Sequence, residues 1–384
     1  MEDSPPTLPD FVKTTEPVSM ESHLLFTVRE KLPSLCRLRL ETLCGGAEAR
    51  VVVKVDAYCS VVVKAIRSRL AAEEVAHMKR MNAALPGICP PVVHFDTDRG
   101  IYATEFAPGR TLERRLRDSL IDVTGTGHFE LVAPCLVALR QLHLATQRRY
   151  ASSYHDVIVA NRLSKILGSD LTTKNLAALT DLDIETYYVT AWATGRTQSG
   201  SLRTAMSRVL ERYSAFLPDV EALIHGDPHL GNIIMEEATP TFIDPRVTWD
   251  DTPNPDPGYF DPLYDVACMA HSIFANLILL APRDLLESVK ARRALIANSI
   301  GILDNYTRQK TTRGQRVRFI TYLICSLSGN LKYSRWTPTT ETFWLTLNFL
   351  DLLEDTMDHV RFDEGTIRAH FPYLVPVKIL FNPC

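Results

Sequence analysis

Apolar residues alternate with polar ones in three short runs, CRLRLETL from Cys36, ARVVVKV from Ala49 and YCSVVVKAI up to Ile66, separated by Gly45-Gly46 and Asp56-Ala57. A period near two with many β-branched residues predicts strands, and the turn residues between them predict antiparallel neighbours. From Arg67 to Leu85 the spacing changes: Leu70, Val75, Met78 and Met81 fall near one face of a helix that Pro86-Gly87 ends. PPVVHFD and IYATEF then read as two further strands around the turn Asp96–Gly100. Residues 21–106 are therefore expected to form a β-rich lobe, with the acidic, proline-bearing residues 1–20 as an N-terminal arm and Ala107-Pro108-Gly109 as a hinge.

Beyond Gly109 the pattern turns helical, first in TLERRLRDSL and then in FELVAPCLVALRQLHLATQ. A β segment interrupts the helices at ALIHGD, NIIMEE and PTFIDP, where Ile233-Ile234-Met235 and Thr241-Phe242-Ile243 predict a hairpin. Helices resume at Tyr264 and are expected to about His370, after an irregular Asp-, Pro- and Gly-rich loop over Asp244–Asp265. The fold class predicted is α+β, a small antiparallel β lobe followed by a larger, mainly helical one at 107–384.

Composition narrows the setting. The 384 residues are 46% hydrophobic and 23% charged, as in an ordinary globular protein. A formal charge of −3 provides no basic field for nucleic acid or an anionic membrane, so neither partner is expected. The eight cysteines contain no C-x-x-C pair, which points to reduced thiols rather than a zinc ribbon or disulfide framework. The first twenty residues carry no basic or apolar signal region, and the longest apolar stretches, Ile273–Pro282 and Phe319–Ser328, read as core helices. A cytoplasmic protein is the expectation.

Candidate chemistry concentrates in His225-Gly226-Asp227-Pro228-His229-Leu230-Gly231-Asn232, followed by Asp244 in FIDPR. An Asp and an Asn on one loop and an Asp just past a hairpin strand make an oxygen-rich set. Phosphoryl transfer needs such a set: one carboxylate to orient the attacking hydroxyl and accept its proton, and two oxygen ligands to hold Mg²⁺ against the phosphates. His225, Asp227 and His229 also have the residue types of a zinc site, so a zinc-dependent hydrolase is an alternative. A nucleotide-binding scaffold without activity is another.

HGDPHLGN, FIDPR and DPLYDVACMAHS together resemble the aminoglycoside phosphotransferase and choline kinase family, small-molecule kinases with a two-lobed, protein-kinase-like fold. The resemblance covers roughly residues 36–275 and is strongest at 223–271. It implies that Asp227 is the catalytic base, that Asn232 and Asp244 bind Mg²⁺, and that Asp265 anchors the catalytic loop. His225 and His229 become loop-packing residues, and ALRQLH, ending in His143, resembles a helix of the larger lobe. The donor implied is ATP or GTP, and the acceptor a small hydroxyl-bearing metabolite or antibiotic. In the smaller lobe Lys64, on the strand ending VVVKA, is placed to reach nucleotide phosphates, with Lys54 as its competitor. Glu73 and Glu74 are both able to pair with it, and the family's helix spacing favours Glu74. Gly45 and Gly46 occupy the place of the phosphate-covering loop, although G-x-G-x-x-G is absent. Glu105 to Ala107 fits the linker whose backbone binds adenine. Two departures stand out: Pro228 follows the base, and Pro245-Arg246 follow the metal Asp, where proline fixes φ. Finally, Asp250, Asp251, Asp256 and Asp261 offer negative charge for a cationic substrate, or simply turn chemistry.

Overall fold

The computed structural model describes residues 39–43, 51–56, 60–118, 127–150, 159–164, 168, 187–190, 197–200, 202–246, 256–280, 301–309 and 311–330. The arm at 1–20, Gly45-Gly46, Asp250-Asp251 and the helices expected beyond residue 330 lie outside them. The chain divides into two compact units, Met1–Pro108 and Gly109–Cys384.

In the first unit, strands β1 (Arg39–Thr42), β2 (Val51–Asp56), β3 (Ser60–Ala65), β4 (Val92–Asp96) and β5 (Ile101–Glu105) form one sheet in the order β1-β2-β3-β5-β4. Every pairing is antiparallel, with a register shift between Val92 and His94. Helix α1 (Ser68–Ala84) packs on β4 and β5. Its sequence is rich in Ala, Met, Glu, Lys and Arg, good helix formers. It buries Ala71, Val75, His77, Met78 and Met81, beside buried Ile101, Tyr102 and Ala103 of β5. The turn between β4 and β5 requires glycine, because φ at Gly100 is +65° and a Cβ there would stand 2.2 Å from the Ile66 carbonyl oxygen.

The second unit opens with β6 (Arg110–Thr111) and α2 (Leu112–Asp118), then α3 (Gly127–Thr146) and β7 (Arg148–Arg149). Gly109 lets β6 approach the hairpin, since a Cβ would lie 2.2 Å from the Met235 carbonyl oxygen. A two-stranded sheet, β8 (Tyr187–Thr190) with β9 (Thr197–Gly200), precedes α4 (Leu202–Ser214) and β10 (Val220–Leu223). The hairpin β11 (Ile233–Glu236) and β12 (Thr239–Phe242) joins β6 in a three-stranded sheet. Strand β13 (Tyr259–Phe260) adds to β10 and β7 in another. Helices α5 (Leu263–Leu280) and α6 (Arg313–Asn330) pack on each other and contribute Val266, Met269, Phe319 and Leu323 to the core. No helix among the described residues is long and apolar enough to cross a membrane.

The stretch expected to be irregular between Asp244 and Asp265 thus contains a strand, β13. Two residues are too few to show a period of two; what fixes them is burial of Phe260, pairing of Tyr259 with Leu223, and the Arg148 guanidinium 3.6 Å from the centre of the Tyr259 ring. Two of the four acidic residues offered there for a cationic substrate, Asp256 and Asp261, meet partners within the chain. Asp256 pairs with Arg148. Asp261 is buried, accepting from Arg318 Nε at 2.7 Å, Tyr322 Oη at 3.0 Å and the Leu263 amide at 3.0 Å. A carboxylate inside a core needs such donors, and its charge is spent on them.

Candidate active site

Strand β10 ends in buried Ala222 and Leu223 and, through buried Ile224, delivers the chain to His225. From there to Asn232 backbone hydrogen bonds replace regular structure. The His229 amide donates to the Asp227 carbonyl at 2.8 Å, the Asn232 amide to the His229 carbonyl at 2.8 Å, and the Ile243 amide to the Asn232 carbonyl at 2.9 Å. The last bond joins the loop to the far end of the hairpin, which brings Asp244 next to it in the chain. Residues Leu230–Asn232 make one turn of 3₁₀ helix, and the His229 ring Nδ1 accepts from the Gly231 amide at 3.1 Å.

Asp265, fully buried in the first turn of α5, carries the loop. Its Oδ2 accepts from the His225 amide at 2.7 Å and from His143 Nε2 at 3.0 Å, and its Oδ1 from the Gly226 amide at 2.8 Å. His143 Nδ1 in turn meets Tyr306 Oη at 2.7 Å. Buried Ser272, two turns further along α5, accepts the Leu230 amide at 3.0 Å. His225 is buried as well, with Nε2 donating to the Ile243 carbonyl at 3.0 Å and Nδ1 accepting from the Asp227 amide at 3.3 Å. Burial lowers its pKa, against the pull of Asp265 and Asp227, so it packs as a neutral ring.

Asp227 emerges from this frame with its side chain 29% exposed. Burial alone would push its carboxyl up, but the Arg246 guanidinium above all holds it at about 2. Arg246 Nε lies 4.0 Å from Oδ2, and its own amide donates to the His225 carbonyl at 2.9 Å. On the other side Cys268 Sγ lies 3.6 Å from Oδ1. The group is an ionised carboxylate at any working pH.

The donor set suits a hard cation. Asn232 Nδ2 donates to the Asp227 carbonyl at 3.0 Å, which commits the amide nitrogen and leaves the amide oxygen as ligand. Asp244 stands with φ at +56°, in the left-handed region that Asp tolerates better than most residues. An amide oxygen and a carboxylate are Mg²⁺ ligands, with phosphates and water to complete the shell. Zinc is another matter. Both nitrogens of His225 are used within the loop, and among the described residues no three His, Cys, Asp or Glu side chains come together as a metal site. The zinc-hydrolase alternative falls on that geometry.

In the first unit Lys64 is buried and its Nζ lies 2.9 Å from Glu74 Oε2. Tyr102 Oη donates to the same oxygen at 2.5 Å. The competitors are engaged elsewhere: Glu73 pairs with Arg69 at 3.0 Å, and Lys54 Nζ lies 4.2 Å from the centre of the Phe106 ring. The Glu105 amide donates to the Pro91 carbonyl at 2.9 Å and the Phe106 amide to the Ser60 carbonyl at 2.9 Å. Sequence reasoning passed over Ser272 and Cys268. Their signal was present as polar positions recurring with Asp265 at helical spacing in an otherwise apolar helix.

The family model described as the phosphotransferase enzyme family matches residues 39–283. No curated protein matches the sequence. Among solved structures, an ethanolamine kinase of Plasmodium vivax superposes with a TM-score of 0.50 at 13% identity, covering 90% of this chain and 93% of its own. The choline kinase LicA of Streptococcus pneumoniae gives 0.50 at 12% identity, covering 85% and 98%. Aminoglycoside phosphotransferase APH(4)-Ia gives 0.50 at 13% identity, covering 88% and 100%. At these identities the likeness shows the protein-kinase-like fold alone.

Proposed function

Because the chain belongs to the phosphotransferase enzyme family, we propose that it is a small-molecule kinase, transferring the γ-phosphoryl group of ATP or GTP to a hydroxyl of a small metabolite or antibiotic. The observation that carries this reading is the single loop holding Asp227 and Asn232, joined to Asp244 through the Ile243 amide. Asp227 orients the acceptor hydroxyl. As the new O–P bond forms, the bond from the γ-phosphorus to the β,γ-bridging oxygen breaks and the nucleoside diphosphate leaves with that electron pair. The acceptor's proton passes to Asp227. A carboxyl held at about 2 is a weak base, so the proton moves late, once bonding to phosphorus has made the hydroxyl acidic.

Asn232 and Asp244 would hold Mg²⁺, which when bound neutralises charge on the phosphates. Lys64, fixed by Glu74, is the candidate phosphate-binding lysine. The Glu105 and Phe106 amides bond within their own unit, and Ala107 is the remaining candidate for a linker amide that meets adenine. Gly45 and Gly46 remain the proposed phosphate-covering turn. Ethanolamine, choline and aminoglycosides name the acceptor classes of the similar structures, and an amino alcohol or amino sugar is the first class to assay here. A donor of this kind is supplied in the cytoplasm, where the reading puts the protein.

The test is Asp227→Asn. General-base assistance is typically worth about 10²–10⁴ in rate, so turnover should fall by that factor while calorimetric affinity for Mg-ATP stays near wild type. Retained turnover would sink the assignment, and lost nucleotide affinity would move Asp227 among the metal ligands.

A further inference from the structure

Helix α5 is apolar nearly all round, yet Asp265, Cys268 and Ser272 recur at i, i+3 and i+7 and so share a face. Each meets a different point of the same loop. Asp265 takes the amides of His225 and Gly226, Ser272 takes the amide of Leu230, and Cys268 meets the Asp227 carboxylate, Sγ to Oδ1 at 3.6 Å. Backbone anchors on either side fix where the Asp227 main chain lies. They leave the carboxylate torsion open, and that torsion is intrinsically broad. With 29% of the side chain exposed, packing alone does not set it.

Resting on the phosphotransfer reading above, we propose that Cys268 is a positioning residue for Asp227: its S–H donates to Oδ1 and thereby turns Oδ2 toward the acceptor hydroxyl. Cys268 is 3% exposed. Burial first, then the nearby carboxylates of Asp227 and Asp265, push its thiol well up. It therefore remains S–H beside a carboxylate that only accepts, which fixes the direction of the contact. Arg246 Nε, 4.0 Å from Oδ2, balances the charge on the other side without the short geometry that would lock that oxygen away from substrate. An S–H···O bond is weak, so it biases the carboxylate rather than clamping it, and the rate should respond modestly.

The test uses the full chain, Mg-ATP and water as acceptor, read by phosphate release. Cys268→Val keeps bulk and drops the donor; Cys268→Ser keeps a donor and drops bulk. Positioning predicts that Val lowers kcat by roughly threefold to tenfold with KM for ATP unchanged, because small misplacements of a reacting group are costly, and that Ser stays within about twofold of wild type by the same argument. A packing role predicts the reverse order, Val retained and Ser impaired. That order, or two unchanged variants, would overturn the proposal while leaving the kinase reading intact. A wild type that neither binds Mg-ATP by calorimetry nor turns it over would overturn both. Infrared spectroscopy supplies a readout that needs no Cys268 variant to fold: the S–H stretch of the wild type should lie at lower frequency than in Asp227→Ala. Coincident bands would refute the contact.

Discussion

Lys64 and Asp227 are the charged groups proposed for phosphoryl transfer in the first and the second unit, and they are held by opposite means. Lys64 stands on a regular strand, so its backbone is fixed by the ladder to β2 and β5, and the Glu74 carboxylate steadies its tip. Asp227 stands on a loop with no ladder. Its position comes from side chains reaching backbone groups: Asp265 to two amides, Ser272 to a third, Asn232 to its own carbonyl. A lysine serving phosphates acts as a point charge and tolerates some latitude. A base that must meet one hydroxyl proton does not, and the loop's buried frame provides that accuracy where secondary structure cannot.

The most severe break of this contrast should come from Asp265→Ala. It strands two buried amides and His143 at once, and breaking a buried, hydrogen-bonded charge typically costs about 3–5 kcal/mol. Chemical denaturation should show that loss, with turnover falling in any folded fraction. On the strand side, Lys64→Ala removes one charged contact. At about 1.5–3 kcal/mol for such a bond, Mg-ATP affinity should drop by roughly 10–100-fold. Glu74→Gln should cost less than Lys64→Ala in the same titration. A silent Lys64→Ala alongside a crippled Lys54→Ala would mean that β2, not β3, carries the phosphate lysine.

Acid sharpens the comparison, because the histidines that pack the loop belong to the second unit. Burial lowers His271 to about 4 and lowers His225 as well. The unfolded chain takes up these protons as pH falls through the ordinary histidine value near 6.5, whereas the folded protein takes them up only at lower pH, His271 at about 4. Their contribution to stability is therefore complete above that ordinary value and is lost progressively below it, for His271 down to about 4 and by about 3 kcal/mol. Urea midpoints measured at stepped pH should decline over that window, and His271→Asn should flatten the decline. Asp227, already ionised throughout, should contribute no acid limb there.

The smallest effect expected is at the surface. Arg110 with Asp118 and Glu113 with Arg117 are exposed pairs, and removing either should change stability by less than about 1 kcal/mol.

How far the sequence anticipated all this depends on the range of the interaction. Strands with β-branched alternation, such as Val51–Asp56 and Ser60–Ala65, and the helix with Val75, Met78 and Met81 on one face were readable because their signal is local. The motif HGDPHLGN was readable for the same reason. Strand β13 was not, since its cause lies in Arg148 and Leu223, far along the chain. Nor was the fate of Asp261, whose partners Arg318 and Tyr322 come from a helix some sixty residues later. Turn composition and a buried acceptor look alike until the tertiary partner is known. Ser272 shows the intermediate case, visible as an irregularity in an apolar helix but uninterpretable without the amide it receives.

The left-handed backbone at Asp244 narrows which mutations that position can accept before any chemistry is considered. A β-branched or bulky side chain is strained at positive φ, and glycine fits but brings no oxygen. Only Asn and Asp combine ease in that conformation with a short oxygen-bearing arm. Random mutagenesis selected for function should therefore return a two-letter alphabet at 244, and one selected for folding alone should return glycine as well, so that the two libraries separate what the backbone demands there from what the proposed cation demands.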